Sequence, residues 1–357
     1  PRWGYIGVYK DKLIVGSDPL APISRSTVKV KKGDLYTKYA EGSKRISVLD
    51  RYTGKHIWTK EAQFSFRHNS IVAGQSLVYC IDRMTDKRLD YLRRRGKVPK
   101  APFMLFAIDI NTGKEVWKSD KDVFGTWLGY SRKHKLLLQA GSKFRDRAPD
   151  EAGQGMAVYN AATGKRLWYT KEKYQGPPLL HGKRIITQGK AYELLTGKQI
   201  QRKDPLTGAD REWSFTRNYG CNTIIGCQNL LTFRSAAAGY FDLAADGGTG
   251  NFGGFRSSCT ANLIPADGVL AAPEYTRTCS CSYQNQCSLA LVHMPEAEMW
   301  TFNAGKWDGR RIKQLGLNFG APGDRRDAQG VLWLDQPSVG GKSPNPKVKL
   351  TGDSLKY

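Results

Sequence analysis

Apolar and polar positions alternate in short runs along most of this chain, and the runs are too brief for helices but suit strands. One run recurs with its turn. Val48-Leu-Asp50-Arg-Tyr-Thr53-Gly54-Lys55-His-Ile-Trp58 is followed by Ala107-Ile-Asp109-Ile-Asn-Thr112-Gly113-Lys114-Glu-Val-Trp117, then by Val158-Tyr-Asn160-Ala-Ala-Thr163-Gly164-Lys165-Arg-Leu-Trp168. A worn copy, Ala191-Tyr-Glu193-Leu-Leu-Thr196-Gly197-Lys198-Gln-Ile, keeps the turn and lacks the tryptophan. Each copy predicts a strand, a turn with glycine where positive φ is needed, and a second strand. The turn glycines lie 59, 51 and 33 residues apart, a variable interval that suits sheets with loops of unequal length and not a helical solenoid.

Between the copies lie further apolar pairs that predict hairpins. These are Ser70 to Cys80 with Gly74 near the turn, Gly129 to Gln139, and Leu179 to Thr187. Four strands per unit, repeated, is the pattern of an all-β propeller built from four-stranded blades, about six to eight of them by the usual count, with the ring incomplete in this chain. The propeller is expected over 1–304, and 305–357 as a β-rich segment that closes the ring or begins an accessory domain. The run from Arg83 to Lys100 breaks the blade pattern and predicts a short helix and a loop carrying Arg93, Arg94, Arg95, Lys97 and Lys100.

These units resemble the pyrroloquinoline-quinone-type repeat of the quinoprotein-like propellers, in which a Thr-Gly-Lys turn and a following Trp dock neighbouring blades. The segments Phe66-Arg-His-Asn69, Phe124-Gly-Thr-Trp127, Tyr219-Gly-Cys-Asn222 and Gly250 to Cys259 are similar to those of a bacterial subfamily found in many planctomycetes. The resemblance implies a fold and no reaction. The adjacent Cys-Cys pair associated with quinone dehydrogenases is missing, because a serine separates Cys279 from Cys281. That departure disfavours the quinone cofactor.

Charge narrows the partners. The chain has 357 residues and a formal net charge of +24, which favours polyanions: acidic polysaccharide, nucleic acid or an anionic surface. No nucleic-acid recognition module is present. No apolar run is long enough to span a bilayer. The chain reads as a piece of a longer precursor, and its clustered cysteines point to an oxidising compartment, periplasmic or extracellular in a bacterium.

Six of the seven cysteines, Cys221, Cys227, Cys259, Cys279, Cys281 and Cys287, fall between Tyr219 and Met294. Their spacing favours disulfides with Cys80 left over, and leaves a structural zinc ion as the alternative. Asp246 among its glycines is a weaker calcium candidate. Gly248-x-Gly250-x-x-Gly253 lacks the strand-to-helix context of a dinucleotide site.

In a propeller the first residues of each inner strand open onto one face. Counting from the long connections places Arg67, His68, Asn69, Trp127, Tyr219, Asn222 and Arg256 there, with Arg234, Asn251, Tyr275, Arg277 and Gln284 as further ligand candidates. Two functions follow. The first is binding, or cleaving, an acidic polysaccharide or other polyanion: arginines pair with carboxylate or sulfate, aromatic rings stack on sugars, and His68 or Tyr283 removes a proton beside a carboxylate that Arg256 neutralises. The second is a non-catalytic scaffold for protein partners, with the basic insertion meeting an acidic neighbour. A quinone-dependent oxidoreductase ranks third.

Overall fold

The computed structural model describes residues 3–19, 42–144, 151–255, 263–273, 288–303, 307–339, 343–347 and 349. The chain divides into two compact units, Pro1–Lys198 and Gln199–Tyr357. The division falls at the worn fourth repeat. In the copy at Glu193–Lys198 no tryptophan follows the turn, so the device that joins the earlier blades stops there.

In the first unit, β1 (Trp3–Tyr9), β2 (Lys12–Pro19), β3 (Gly42–Asp50), β4 (His56–Gly74), β5 (Leu77–Asp82), β6 (Met104–Asp109) and β7 (Glu115–Ser119) form one antiparallel sheet in chain order. This sheet is two propeller blades that share β4. The first part of β4 is the last strand of one blade, paired with β3, and its end is the first strand of the next, paired with β5. At the crossover residues 62–65 drop out of the β3 ladder, and Phe66 then pairs with both β3 and β5. The buried Asp82 carboxylate accepts the N–H groups of Gln63, Phe64 and Ser65 at 2.6, 2.9 and 2.8 Å and so satisfies them.

The next blade is β8 (Trp127–Ser131), β9 (Leu136–Ala140), β10 (Gln154–Asn160) and β11 (Arg166–Lys173). It is followed by β12 (Leu179–His181), β13 (Arg184–Ile186) and β14 (Ala191–Glu193). The three expected hairpins are present. In the first, the turn residues are Gln75 and Ser76, both at positive φ. Gly74 serves another purpose: a Cβ there would lie 2.2 Å from the Tyr130 ring. The helix α1 (Asp86–Arg93) also forms, capped by the Thr85 hydroxyl, which accepts from Arg88 N–H at 3.1 Å.

The repeated turn has one geometry. The Asp50 carboxylate accepts from Tyr52 N–H, Thr53 N–H and the Thr53 hydroxyl at 2.8–3.0 Å, and Gly54 stands at φ +71°. Asp109 and Asn160 hold their turns in the same way. The tryptophans then join blade to blade. Trp58 Nε1–H donates to the Ile110 carbonyl at 2.8 Å, Trp117 to Ala161 at 2.9 Å and Trp168 to Leu194 at 2.9 Å. In every case the ring lies on the turn glycine of the following copy. A Cβ at Gly113, Gly164 or Gly197 would sit 2.7–2.8 Å from the indole. Apolar clusters fill the spaces between the blades, one around Ile46, Val48, Val78 and Ile108, the next around Tyr79, Leu105, Leu137 and Ala157, the third around Leu138, Met156, Val158 and Ile185.

The second unit contains the hairpin β15 (Gln201–Lys203) and β16 (Asp210–Glu212), and a four-stranded sheet of β17 (Ile225–Gly226), β18 (Leu230–Ser235), β19 (Ala237–Asp242) and β20 (Gly248–Asn251). A three-stranded sheet joins β21 (Ile264–Ala266), β22 (Val269–Ala272) and β23 (Leu289–Val292). In the last sheet β24 (Gly316–Phe319) runs parallel to β26 (Leu332–Gln336), and β25 (Arg325–Arg326) pairs antiparallel with it. A fifth copy of the turn, unread in the sequence, lies here. Asp204 accepts from Leu206 N–H, Thr207 N–H and the Thr207 hydroxyl, with Gly208 at φ +70°.

Candidate functional site

The first unit brings several expected residues together at the start of the inner strands. The crossover in β4 delivers Arg67 to a site where it is 2% exposed, and its Nη2 donates to Glu151 Oε1 at 2.8 Å. Glu151 is itself 4% exposed and precedes β10. Asn69 Nδ2 reaches Ser142 Oγ and Glu151 Oε1 at 3.3 and 3.4 Å. The Thr126 hydroxyl accepts from Ala152 N–H at 3.0 Å, and Gly176 N–H donates to the Lys143 carbonyl at 2.8 Å. The bonds of Arg67, Asn69 and Gly176 tie one blade to the next, and that of Thr126 joins two strand ends within a blade. Within the pair, Arg67 Nε and Glu151 Oε2 have no hydrogen-bond partner among the described residues.

Arg83 lies at the same edge and anchors the basic insertion. Its guanidinium is buried, donates to the Phe124 carbonyl and pairs with Asp86. Burial lowers its pKa, and the Asp86 charge opposes that shift.

His68 sits beside Arg67 and shares a 2.8 Å hydrogen bond between Nε2 and Ser43 Oγ. Burial, with the Arg67 charge adding to it, lowers the His68 pKa to about 4. The ring is therefore neutral at pH 7, and a base of that strength is poorly matched to proton abstraction at neutral pH. The unfolded chain titrates this group near 6.5. Between pH 6.5 and 4 the unfolded state binds the proton better, so the stability gained from the neutral buried ring is complete above 6.5 and is lost as pH falls towards 4. A proton NMR titration of the imidazole is expected to give a midpoint near 4, and a midpoint of 6.5 or above would return His68 to acid–base use.

Trp127 is half-buried. It packs against the cluster of Leu138, Met156 and Ile185, and its ring fills the space that a Cβ at Gly129 would need, 2.4 Å away.

In the second unit Tyr219, Cys221, Asn222 and Arg234 come together. Asn222 Oδ1 accepts from Arg234 N–H at 2.8 Å, Arg234 Nε donates to the Ala236 carbonyl at 3.2 Å, and the Arg234 guanidinium stands 5.7 Å from the centre of the Tyr219 ring. Cys221 Sγ lies 3.3 Å from the Tyr219 hydroxyl. Gly220 permits the approach, since a Cβ there would meet the Arg234 carbonyl at 2.1 Å. Tyr219 is 61% exposed and keeps one face to solvent. Asn251 lies apart from this group, on the wall of a cavity of about 620 Å³ shared with Cys227, Tyr240, Val269, Met294 and Met299.

Arg256, Tyr275, Arg277, Tyr283, Gln284, Cys259, Cys279, Cys281 and Cys287 lie outside the described residues. Among the described residues no three His, Cys, Asp or Glu side chains converge to hold a metal ion. Cys80 is a buried free thiol whose pKa burial raises. No helix among the described residues is long and apolar enough to cross a membrane.

No curated protein matches the chain in sequence. Among solved structures, the chain is similar to BamB from Moraxella catarrhalis at 12% identity, covering 82% of this chain and 83% of that one with a TM-score of 0.39. It is similar to a europium-containing methanol dehydrogenase at 12% identity over 62% of this chain, with a TM-score of 0.36. A quinohaemoprotein alcohol dehydrogenase from Pseudomonas putida gives 14% identity over 66% of the chain and a TM-score of 0.29. The chain spans 43% and 32% of the lengths of those two dehydrogenases. Residues 101–251, which carry the blades of Trp117 and Trp168, match the family model described as outer membrane protein assembly factor BamB.

Proposed function

We propose that this chain is a non-catalytic, exported bacterial propeller that holds a protein partner by an acidic surface, using the basic insertion after β5. The observation that carries this reading is the exposure of that insertion. Arg93, Arg94, Arg95, Lys97 and Lys100 are all exposed, and the nearby Asp90 pairs with Arg93 at 3.0 Å. Tyr91 stiffens the cluster, with the Arg95 guanidinium 3.6 Å above its ring. The buried Arg83 fixes the base of the insertion to the next blade. By contrast, Arg67, His68, Asn69 and Trp127, the expected ligand groups of the first unit, are engaged in joining or packing blades. The family model matched over 101–251 is named for the assembly of outer membrane proteins, which agrees with a protein-binding role.

An acidic polysaccharide would meet the same cations, so the test separates the two. Poly-L-glutamate is expected to bind the native chain with an affinity that falls as salt rises. Reversing Arg93→Glu, Arg94→Glu and Arg95→Glu together is expected to weaken binding roughly a hundredfold or more, because attraction becomes repulsion. Equal binding by both forms overturns the proposal. Release of an unsaturated, ultraviolet-absorbing product from a uronic-acid polysaccharide would overturn the non-catalytic part and restore the lyase reading.

A further inference from the structure

The second unit holds a cavity of about 190 Å³ whose chemistry is opposite to that of the insertion. Its apolar walls are Trp300, Phe302, Pro322 and Val339, and its polar lining includes Thr249, Thr301, Asp335 and Ser343. Among the described residues no lysine, arginine or histidine lines it, in a chain of net charge +24. Arg325 pairs with Glu298 at 3.2 Å and stands 6.0 Å from the centre of the Trp300 ring, and Arg326 pairs with Asp246 at 3.7 Å.

The hydroxyl donors in this lining are already used. Thr249 Oγ1–H donates to the Thr216 carbonyl at 2.5 Å, Thr301 Oγ1–H to the Gly247 carbonyl at 2.6 Å, and the Ser343 hydroxyl to Asp324. What these hydroxyls can still offer is lone pairs. Asp335 is 7% exposed; its Oδ2 accepts from Val339 N–H at 2.8 Å, while Oδ1 accepts no hydrogen bond among the described residues. Behind it the fully buried Asp324 is saturated, with Asn303 N–H, Asn303 Nδ2 and the Ser343 hydroxyl on Oδ2 and Asp335 N–H on Oδ1. The cavity therefore presents hydroxyl lone pairs and a carboxylate oxygen that has no partner among the described residues, beside Trp300 and Phe302. Two lining residues, Asn251 and Val339, are exposed, so it opens to solvent.

We propose that this cavity binds a primary alkylammonium group, as found at the tip of a lysine side chain, with Asp335 as its counter-ion. Three N–H donors match the hydroxyl and carboxylate acceptors, the positive charge meets Asp335, and the apolar stem packs against Phe302, Pro322 and Val339. The volume is below that of drug-sized sites, which begin at about 300 Å³, and limits the ligand to a few heavy atoms. Calcium is a poor fit, since it takes about six to eight oxygens, usually with several carboxylates, and only Asp335 has an open carboxylate oxygen here.

The test is a calorimetric titration of the full chain with n-propylammonium chloride. Saturable binding is expected, weakened roughly tenfold or more in Asp335→Asn, which can still accept from Val339 N–H. The n-propyltrimethylammonium ion keeps the charge and stem but has no N–H donor, and is expected to bind native protein roughly tenfold more weakly. No saturable binding, equal affinity for the two ions, or tighter binding of calcium chloride would each overturn the assignment, whatever the fate of the variant.

Discussion

Trp58→Ala is expected to destabilise the first unit by about 3–5 kcal/mol, the range for truncating a buried tryptophan. The indole is 8% exposed and contributes to the cluster between the first two blades, so truncation opens a large cavity. It also removes the donor to the Ile110 carbonyl. Trp58→Phe separates the two effects: it restores most of the apolar area and leaves the carbonyl unsatisfied, at a cost of about 1–3 kcal/mol. Trp117 and Trp168 make the same contacts from half-buried positions, so their truncation is expected to cost less. Denaturant midpoints followed by near-ultraviolet dichroism measure the series. Equal, small losses at all three positions would mean that the repeated hydrogen bond is incidental to blade docking.

Glu151→Ala is the second large effect. It leaves the Arg67 guanidinium 2% exposed with its partner gone, and breaking a buried pair by removing one member costs about 3–5 kcal/mol. Replacing both, as Arg67→Met with Glu151→Leu, removes the desolvated charges together and is expected to recover most of that loss. The pair is shielded from solvent, so the loss should change little with added salt, unlike binding at the insertion. A double variant no more stable than Glu151→Ala would show that the ion pair itself, and not the absence of an orphaned charge, holds the edge together.

The repeat was legible because each copy obeys several local rules at once: strand alternation, an acidic or amide residue to hold the turn, and glycine at positive φ. Copies that break one rule were harder to read. Asp204-Pro-Leu-Thr-Gly208 has the turn, but alanine replaces the lysine and Trp213 stands one place later, where its Nε1 donates to Asp246 at 3.2 Å and not to a carbonyl. The inner-strand positions Arg67, Asn69 and Thr126 were also legible by counting from the connections. Their partner was not, because Glu151 lies in irregular chain with no period to place it. Asp82 carried no signal in the sequence, and its role became visible only with the three N–H groups it satisfies. Trp127 was read as a ligand group by counting from the connections; the glycine two places on was the signal that the ring folds back over the sheet.

The account rests on one division of labour: the polar inner edge joins blades, and the exposed insertion meets the partner. The most direct measurement is the affinity for poly-L-glutamate of two variants side by side, at about 50 mM salt where exposed charges act strongly. One neutralises the insertion, with Arg93→Gln, Arg94→Gln and Arg95→Gln; the other, His68→Asn, alters the inner edge. A loss of roughly tenfold or more in the first and native affinity in the second is the predicted result. Native affinity in the first and a loss in the second would place the binding surface at the inner edge and contradict the account.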